Sequence, residues 1–230
     1  MLSLAISSGL GLFGAVLQDE SMRFVAFSDT HGFHDEIILP EGDVLLFAGD
    51  ICGWSSGTNE IESFGSYLAK QPHPHKIVIA GNHDWAFQRD RDKAVDALGD
   101  VHYLQDEEVV IKGIKIYGSP WQPEFYDWAF NLPRGPELAK VWAKIPIDTQ
   151  VLLTHGPPRG ILDQTTDKRG VGCEDLRERL ADLKSLRAHV FGHIHEAYGC
   201  DTTGLTTFYN VSVCDRGQTK ALNRPWVFEL

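Results

Sequence analysis

The stretch RFVAFSDTH, residues 23–31, decides the fold, because an apolar run of strand-forming residues stops there at an aspartate and a histidine. Four later stretches repeat this arrangement: DVLLFAGD (43–50), KIVIAGNHD (76–84), QVLLTHG (150–156) and AHVFGHIH (188–195). Short apolar runs bounded by turn residues are typical of buried strands. In an open α/β sheet, ligands bind outside the carboxyl ends of the strands. The five strand ends therefore predict one crevice lined by metal-binding side chains.

Three segments between the predicted strands carry apolar residues at helical spacing and predict helices that pack on a sheet. Asn59 and Glu62 are spaced like a capping box at the start of the first helix. Pro136 stands at a favourable first position of the second. The apolar stripes consist of Ile61, Phe64 and Leu68 in the first helix, Leu138, Val141, Trp142 and Ile145 in the second, and Leu176, Leu180 and Leu183 in the third.

The remaining pattern is rich in strands. Residues 107–119 predict a hairpin, because the runs EEVVIK and IKIYG flank Gly113. The runs TTFYNVSVC (206–214) and PWVFEL (225–230) predict closing strands. Together these elements predict an α/β fold in which two mixed sheets form an α-β-β-α sandwich flanked by helices. No linker is visible, so residues 22–230 are predicted to form a single domain.

Residues 1–21 differ from the rest of the chain. Up to Gln18 they carry no charge and are largely apolar. The run is too short for a membrane-spanning helix and lacks the basic leader of a secretory signal. Met22 directly precedes the first strand, so we interpret residues 1–21 as an extension that is not native or is disordered. An atypical export signal is the alternative.

Charge and cysteine usage limit the function classes. The chain has 21 basic and 32 acidic residues, a net charge of −11, which argues against a protein that tracks long nucleic acids. A small phosphorylated substrate fits better, provided that metal ions offset the repulsion locally. The four cysteines, Cys52, Cys173, Cys200 and Cys214, lack a CxxC spacing. They predict reduced thiols and a cytoplasmic protein. No membrane partner is expected.

The chemistry of the strand ends follows from residue type and spacing. Asp29 and His31 stand two residues apart, so their side chains point the same way if the backbone is extended, and the same holds for His193 and His195. A carboxylate such as that of Asp50 can bridge two cations. Imidazole, carboxylate and amide donors together suit manganese, iron, nickel or zinc.

A structural interpretation competes for each residue alone. Aspartate and asparagine favour strand ends as turn residues, and single buried histidines are commonly hydrogen-bonded parts of the core. The joint occurrence of all five motifs after apolar strands favours the metal site. For the other histidines we predict surface or structural roles: His34, His73, His75, His102 and His189.

The motifs, taken in order, resemble those of the calcineurin-like metallophosphoesterases. The resemblance spans about residues 23–213. The runs THGPPRGILD and FGHIHEAYG look like the smaller branch of metallophosphoesterase-domain-containing proteins, several of which are associated with nucleotide binding or phosphodiesterase activity. The motifs that carry the family resemblance are Asp29-x-His31, Gly49-Asp50-x-x-Gly53, Gly81-Asn82-His83-Asp84, Thr154-His155-Gly156 and Gly192-His193-x-His195.

This resemblance implies a binuclear centre and a division of roles. His83 would protonate or stabilise the leaving oxygen, and Asp84 would fix its tautomer. A hydroxide that bridges the two cations would attack phosphorus in line. One ion would be held by Asp29, His31, Asp50 and His195, and the second by Asp50, Asn82, His155 and His193.

Substrate contacts are predicted in two loop-like regions. Trp121 and the aromatic residues after it stack on a nucleobase or pack in the core, and both interpretations stay open. Arg134 and Arg159 are candidates to grip phosphate, with solvated surface charge as the alternative.

The expected function is hydrolysis of phosphodiesters, in particular nucleotide-type ones such as cyclic nucleotides. The alternatives within the enzyme class are a nucleotide phosphomonoesterase and a protein phosphatase. A nucleotide-binding regulatory protein with little turnover is the alternative of a different kind. A deoxyribonuclease is disfavoured because the chain is acidic.

Overall fold

The computed structural model describes residues 21–54 and 57–230, so the interpretation of residues 1–20 lies outside the described part. The helices are α1 (Asn59–Ala69), α2 (Trp85–Arg89), α3 (Arg91–Leu98), α4 (Pro136–Trp142) and α5 (Glu174–Leu180), with single 3₁₀ turns at His34–Glu36 and His195–Ala197. The strands are β1 (Arg23–Phe27), β2 (Val44–Ala48), β3 (His75–Ile79), β4 (His102–Tyr103), β5 (Glu107–Ile111), β6 (Ile114–Ser119), β7 (Gln122–Pro123), β8 (Asn131–Leu132), β9 (Val151–Thr154), β10 (Ala188–Phe191), β11 (Gly199–Thr203), β12 (Thr206–Asn210) and β13 (Trp226–Glu229).

Two mixed sheets form the body of the fold. The first has the order β13-β1-β2-β3-β4 and the second the order β11-β12-β10-β9-β6-β5. In each sheet the central strands run parallel, while β13, β11 and β5 pair antiparallel at or near the edges. Because parallel neighbours point the same way, the carboxyl ends of β1, β2 and β3 share one edge, and those of β6, β9 and β10 share another.

Alternate residues of a strand face opposite sides of its sheet, and the clusters that they join identify the layers of the fold. Phe24 and Ala26 face a core that also contains Val151 and Val190 of the second sheet, so the two sheets pack on each other there. Phe27, whose side chain points to the other face of the sheet, packs against α1 and α2 instead. A third cluster joins the outer face of the second sheet to α4 and α5. This order of layers confirms the predicted α-β-β-α sandwich.

The predicted helices are present, but their ends differ from the expectation. The stripe of Ile61, Phe64 and Leu68 is buried. The capping box is wrong, because Asn59 is the first helical residue and Thr58 is the cap; the Thr58 hydroxyl donates to the Glu62 side chain. Pro136 begins α4 as predicted. Two further stripe residues, Ile145 and Leu183, are buried but lie beyond the ends of their helices.

The predicted hairpin is confirmed as the antiparallel pair β5 and β6. Its two-residue turn has positive φ at both positions, 46° at Lys112 and 85° at Gly113. That conformation matches the twist of the flanking strands and explains why glycine is favoured at the second position. Of the predicted closing strands, residues 206–210 form β12 and residues 226–229 form β13.

All four cysteines are free thiols, and only Cys200 is exposed. None of the helices in residues 21–54 and 57–230 combines the length and apolar character needed to cross a bilayer.

His189 on β10 gives a prediction for acid stability. It is fully buried, and its Nε2 lies 2.8 Å from the Thr154 hydroxyl. Burial lowers the pKa of His189 to about 3, whereas the unfolded chain takes up the proton near 6.5. The unfolded state therefore binds more protons below pH 6.5, and native stability falls as the pH drops.

We expect His189→Gln to remove this acid sensitivity. The free energy of unfolding of the wild type should fall by about 2 kcal/mol more than that of the variant between pH 6.5 and pH 5. Urea unfolding of the metal-free proteins at both pH values measures the difference. Between pH 7.5 and pH 8.5 the free energies of unfolding of the two proteins should change with pH by the same amount. Equal acid sensitivity of the two proteins would contradict the neutral state assigned to His189.

Candidate metal centre

The seven predicted metal ligands follow five parallel strands at the facing edges of the two sheets. Five of them are buried, and His193 and His195 are partly exposed. The donor atoms of six of them, together with those of His83, converge into three groups, in each of which all donor atoms lie within 4.8 Å of one another. The groups are Asp29, His31 and His195; His31, Asp50 and His83; and Asp50, His155 and His193. Asn82 joins the third group through its amide oxygen, 2.8 Å from Nε2 of His155.

The backbone turns sharply at four of these ligands. The φ angles are 54° at Asp29, 43° at His31, 61° at Asp50 and 67° at His193. Non-glycine residues rarely adopt this left-handed conformation, and such strain concentrates at functional sites. The backbone is therefore not extended at these residues, and the two-residue spacing alone does not align their side chains. Left-handed turns, followed by a 3₁₀ turn at His195–Ala197, bring the side chains together instead.

Two glycines permit the close approach of the loops. A Cβ at Gly49, where φ is +96°, would stand 2.7 Å from Nδ1 of His155. A Cβ at Gly81 would stand 2.3 Å from the Asp50 carboxylate. Any side chain at either position would push the ligands apart, so both glycines are required by the site geometry.

Backbone carbonyls fix the orientation of three imidazoles. Nδ1 of His31 lies 3.0 Å from the Cys52 carbonyl, and Nδ1 of His155 lies 2.9 Å from the Ala48 carbonyl. Nδ1 of His195 lies 2.9 Å from the carbonyl of Asp215. A carbonyl oxygen can only accept, so each Nδ1 carries a proton and each Nε2 is free to bind a cation.

The donor set fits divalent cations. Nε2 of His31 lies 3.2 Å from Nε2 of His195, and Nε2 of His155 faces the amide oxygen of Asn82. When the imidazoles are neutral, each of these two contacts places one lone pair opposite another. A shared cation or an added proton would stabilise such a contact. Nitrogen donors mixed with carboxylate and amide oxygens suit borderline transition metals.

Electrostatics supports the same view. Burial opposes protonation of His155, but the nearby Asp50 carboxylate outweighs it and raises the pKa of His155 to about 9. Asp29 in the same way overcomes burial and raises the pKa of His195 to about 9. Burial is the main cause that lowers the pKa of His193 to about 3. The metal-free site thus holds protons where cations would otherwise bind.

His83 stands beside the ligands at the mouth of the site. Its Nδ1 donates to the carbonyl of Gly53, and its ring stacks on Trp128 with centroids 4.2 Å apart. Its Nε2 faces Gln218, 3.5 Å away. The prediction that Asp84 fixes the tautomer of His83 is wrong, because the Gly53 carbonyl receives the Nδ1 proton.

Asp84 organises the backbone of the site instead. Its buried carboxylate accepts N–H groups from four residues at 2.8–3.2 Å: Asp50, Ile51, Cys52 and Gly81. Burial and the neighbouring Asp50 raise the pKa of Asp84 to about 6, so the carboxylate form prevails at pH 7. The two ligand-bearing loops after β2 and β3 are joined through this one side chain.

Asp84→Asn should therefore destabilise the protein by about 2–3 kcal/mol, because the new NH₂ group faces backbone donors and leaves a buried N–H without an acceptor. Urea unfolding measures the change. The exposed Asp148→Asn is the matched control and should unfold at the same urea concentration as the wild type. Equal stability of Asp84→Asn and wild type would show that the four N–H bonds contribute nothing.

Two cavities open beside the ligands. The smaller, about 210 Å³, is lined by His83 and four of the ligands together with the rings of Trp54, Phe125, Tyr126 and Trp128. The larger, about 680 Å³, lies beyond Phe125 and Tyr126 and reaches His193. Trp54 and Tyr126 are among the most exposed large hydrophobic side chains, at 82% and 79%.

The structure assigns structural roles to two of the three predicted substrate contacts. Trp121 donates to Asp106 and packs against Phe130, as in the core-packing interpretation. Arg159 binds the Gly170 carbonyl and lies near Glu174, outside the lining of both cavities. The third, Arg134, does line the larger cavity, but its guanidinium is bound to Glu174 and to backbone carbonyls.

Several site residues were not predicted from the sequence. The hydroxyls of Ser28 and Ser212 both donate to Oδ2 of Asp29. Ser28 adjoins a motif and could have been considered, whereas Ser212, 183 residues away, carries no sequence signal. Trp128 belongs to the aromatic run noticed in the sequence, but its stacking on His83 depends on the tertiary fold.

Comparisons with known proteins agree with this geometry. The family model described as calcineurin-like phosphoesterase matches residues 22–197. Metallophosphoesterase domain-containing protein 1 of Homo sapiens, and its counterpart of Mus musculus, are each 41% identical over 232 residues, which cover 90% of this chain and 71% of theirs.

Solved structures support the fold alone. One has a TM-score of 0.65 at 15% identity and covers 83% of this chain and 90% of its own. TT1561 of Thermus thermophilus has a TM-score of 0.57 at 12% identity, with 83% and 88% covered. At such low identity, these matches indicate a shared architecture.

Proposed function

The chain belongs to the calcineurin-like phosphoesterase family, and from that premise we propose that it is a phosphodiesterase that hydrolyses nucleotide-type phosphodiesters, cyclic or linear. Phosphoester hydrolysis is the chemistry that the family indicates. We further propose that the enzyme prefers diesters, that its substrate contains a nucleotide, and that its metal is manganese, iron, nickel or zinc.

The observation that carries the proposal is the convergence of donor groups around Asp50, next to His83. Oδ2 of Asp50 lies 3.8 Å from Nε2 of His31 and 3.4 Å from Nε2 of His155. The single carboxylate thus stands between two sets of nitrogen donors. This is the arrangement that a pair of adjacent cations requires.

The family uses two metal ions. Manganese, iron, nickel or zinc would be held on one side by Asp29, His31, Asp50 and His195, and on the other by Asp50, Asn82, His155 and His193. When bound, such ions supply Lewis-acid activation of water and neutralise charge that develops on the phosphoryl oxygens.

The chain's own residues orient the reaction. The Gly53 carbonyl and the Trp128 ring fix the plane of His83, so its Nε2 is held towards the smaller cavity. A proton on that nitrogen can pass to the oxygen of the departing group. The Asp50 carboxylate accepts the backbone N–H of His83 at 2.8 Å, which ties the proton donor to the ligand cluster.

Substrate size and cellular location are part of the proposal. The net charge of −11 supports a small phosphorylated substrate rather than a long nucleic acid or an anionic membrane. Three buried free thiols support a reducing, cytoplasmic environment.

A substrate panel tests the proposed function. The protein is stripped of metal, reconstituted separately with manganese, iron, nickel or zinc, and assayed on cyclic nucleotides, linear diesters and monoesters. We expect metal-dependent turnover that is faster on diesters. A preference for monoesters with every metal would contradict the phosphodiesterase proposal and favour a nucleotide phosphomonoesterase. Tight nucleotide binding without turnover would favour the regulatory protein.

A further inference from the structure

The two cavities meet at the metal centre and share one wall. Phe125, Tyr126 and His193 line both of them. A phosphorus atom held at the ligands would therefore have space on two sides, about 210 Å³ on one and about 680 Å³ on the other. A phosphodiester carries two organic groups on phosphorus, whereas a monoester carries one.

The position of His83 distinguishes the two sides. Its ring lines the smaller cavity only. A general acid must come within hydrogen-bond reach of the oxygen that it protonates. The group that departs therefore occupies the smaller cavity, and the group that stays on phosphorus extends into the larger one.

The charges of the larger cavity argue against a second phosphate in the retained group. Its three arginines are each close to an acidic side chain. Arg169 lies 2.6 Å from Asp167, Arg216 lies 3.9 Å from Glu196, and Arg134 is paired with Glu174. Among the described residues that line the cavity, no arginine is left without a carboxylate partner. An uncharged retained group fits this lining better than a polyphosphate.

The remaining lining suits a nucleoside. Phe125 and Tyr126 present aromatic rings, and exposed rings of this kind stack on bases. Gln122 also lines this cavity and adds an amide side chain to its wall.

We propose that the larger cavity is a nucleoside subsite, which holds the retained group of a linear phosphodiester while the other group departs through the smaller cavity. This proposal rests on the phosphodiesterase function. Water adds its oxygen to phosphorus, the bond between phosphorus and the departing oxygen breaks, that oxygen takes a proton, and a nucleoside monophosphate remains. A cyclic nucleotide has both ester oxygens on one ribose and cannot extend into both cavities in this way.

Two substrates with the same departing group isolate the effect. Thymidine 5′-(p-nitrophenyl phosphate) retains a nucleoside, and ethyl p-nitrophenyl phosphate retains an ethyl group. Because p-nitrophenolate departs from both, the difference in kcat/KM reports the retained group alone. We expect the nucleoside substrate to be preferred at least about tenfold by the metal-reconstituted protein.

Variants locate this preference in the cavity. Val171→Trp fills the larger cavity, and Gln122→Met removes the amide group from its wall; each should lower the nucleoside-to-ethyl ratio of kcat/KM, the first by about tenfold. Val110→Trp, at an exposed position on β5, is the matched control and should leave the ratio unchanged.

The outcomes separate the two proposals. If neither substrate is hydrolysed with any of the four metals, the phosphodiesterase function fails. If both are hydrolysed at equal kcat/KM, or if the ratio survives in both cavity variants, the function stands and the nucleoside subsite is refuted.

Discussion

Replacement of Asp50 by Asn is expected to lower kcat/KM for phosphoester hydrolysis by on the order of 10³-fold. Asp50 belongs to two of the three donor groups and is the one residue common to both predicted ion sites. Asparagine keeps the shape, and its oxygen can still accept the N–H of His83. The variant therefore removes the negative charge between the two sets of nitrogen donors with little change in packing.

Metal content distinguishes this effect from a folding defect. Elemental analysis after reconstitution should show that Asp50→Asn retains fewer ions per chain than wild type, while its unfolding transition stays cooperative. The exposed Asp148→Asn serves as the matched control, with wild-type metal content and turnover expected. Full metal loading together with wild-type kcat/KM in Asp50→Asn would refute the shared-ligand role.

The second large effect is expected for His83→Ala, which should lower kcat by about 10²–10⁴-fold on substrates with poor leaving groups. On a p-nitrophenyl diester the loss should be much smaller, because p-nitrophenolate departs without needing a proton. The dependence on the leaving group is therefore the sign of a lost general acid. Steady-state kinetics on an alkyl and a p-nitrophenyl diester measures it.

Metal analysis completes the test of His83, because one donor group joins its ring with His31 and Asp50. A proton donor can be removed without loss of metal, whereas a ligand cannot. We expect His83→Ala to retain wild-type metal content, and the exposed His102→Ala to match wild type in both assays. Loss of metal would make His83 a ligand, and unchanged kcat on the alkyl diester would remove it from the reaction.

The wider fold could be predicted from the sequence because the periodicity of strands and helices is local. Apolar runs of four to six residues predicted β1, β2, β3, β9 and β10, and the helical stripes predicted α1, α4 and α5. The ends of the helices were harder to predict. Whether Thr58 or Asn59 caps α1 depends on small differences in local hydrogen bonding, which residue type alone does not decide.

The sequence by itself determined which residue types follow the five parallel strands. Because the carboxyl ends of parallel neighbours lie at the same edge, that pattern was enough to predict that Asp29, Asp50, Asn82, His155 and His193 meet. Local periodicity locates each strand, and each motif stands directly after its strand, so the motifs lie at the same edge once the strands are parallel.

Only the tertiary structure decided how those residues meet and what surrounds them. The left-handed turn at Asp50, the four backbone donors on Asp84 and the hydroxyl of Ser212 on Asp29 all depend on contacts between distant segments. The division of space by Phe125 and Tyr126 depends on where the loop between β7 and β8 lies relative to the ligands. Backbone dihedrals in loops and the packing of remote segments are set by the whole fold, so no local pattern of residues specifies them.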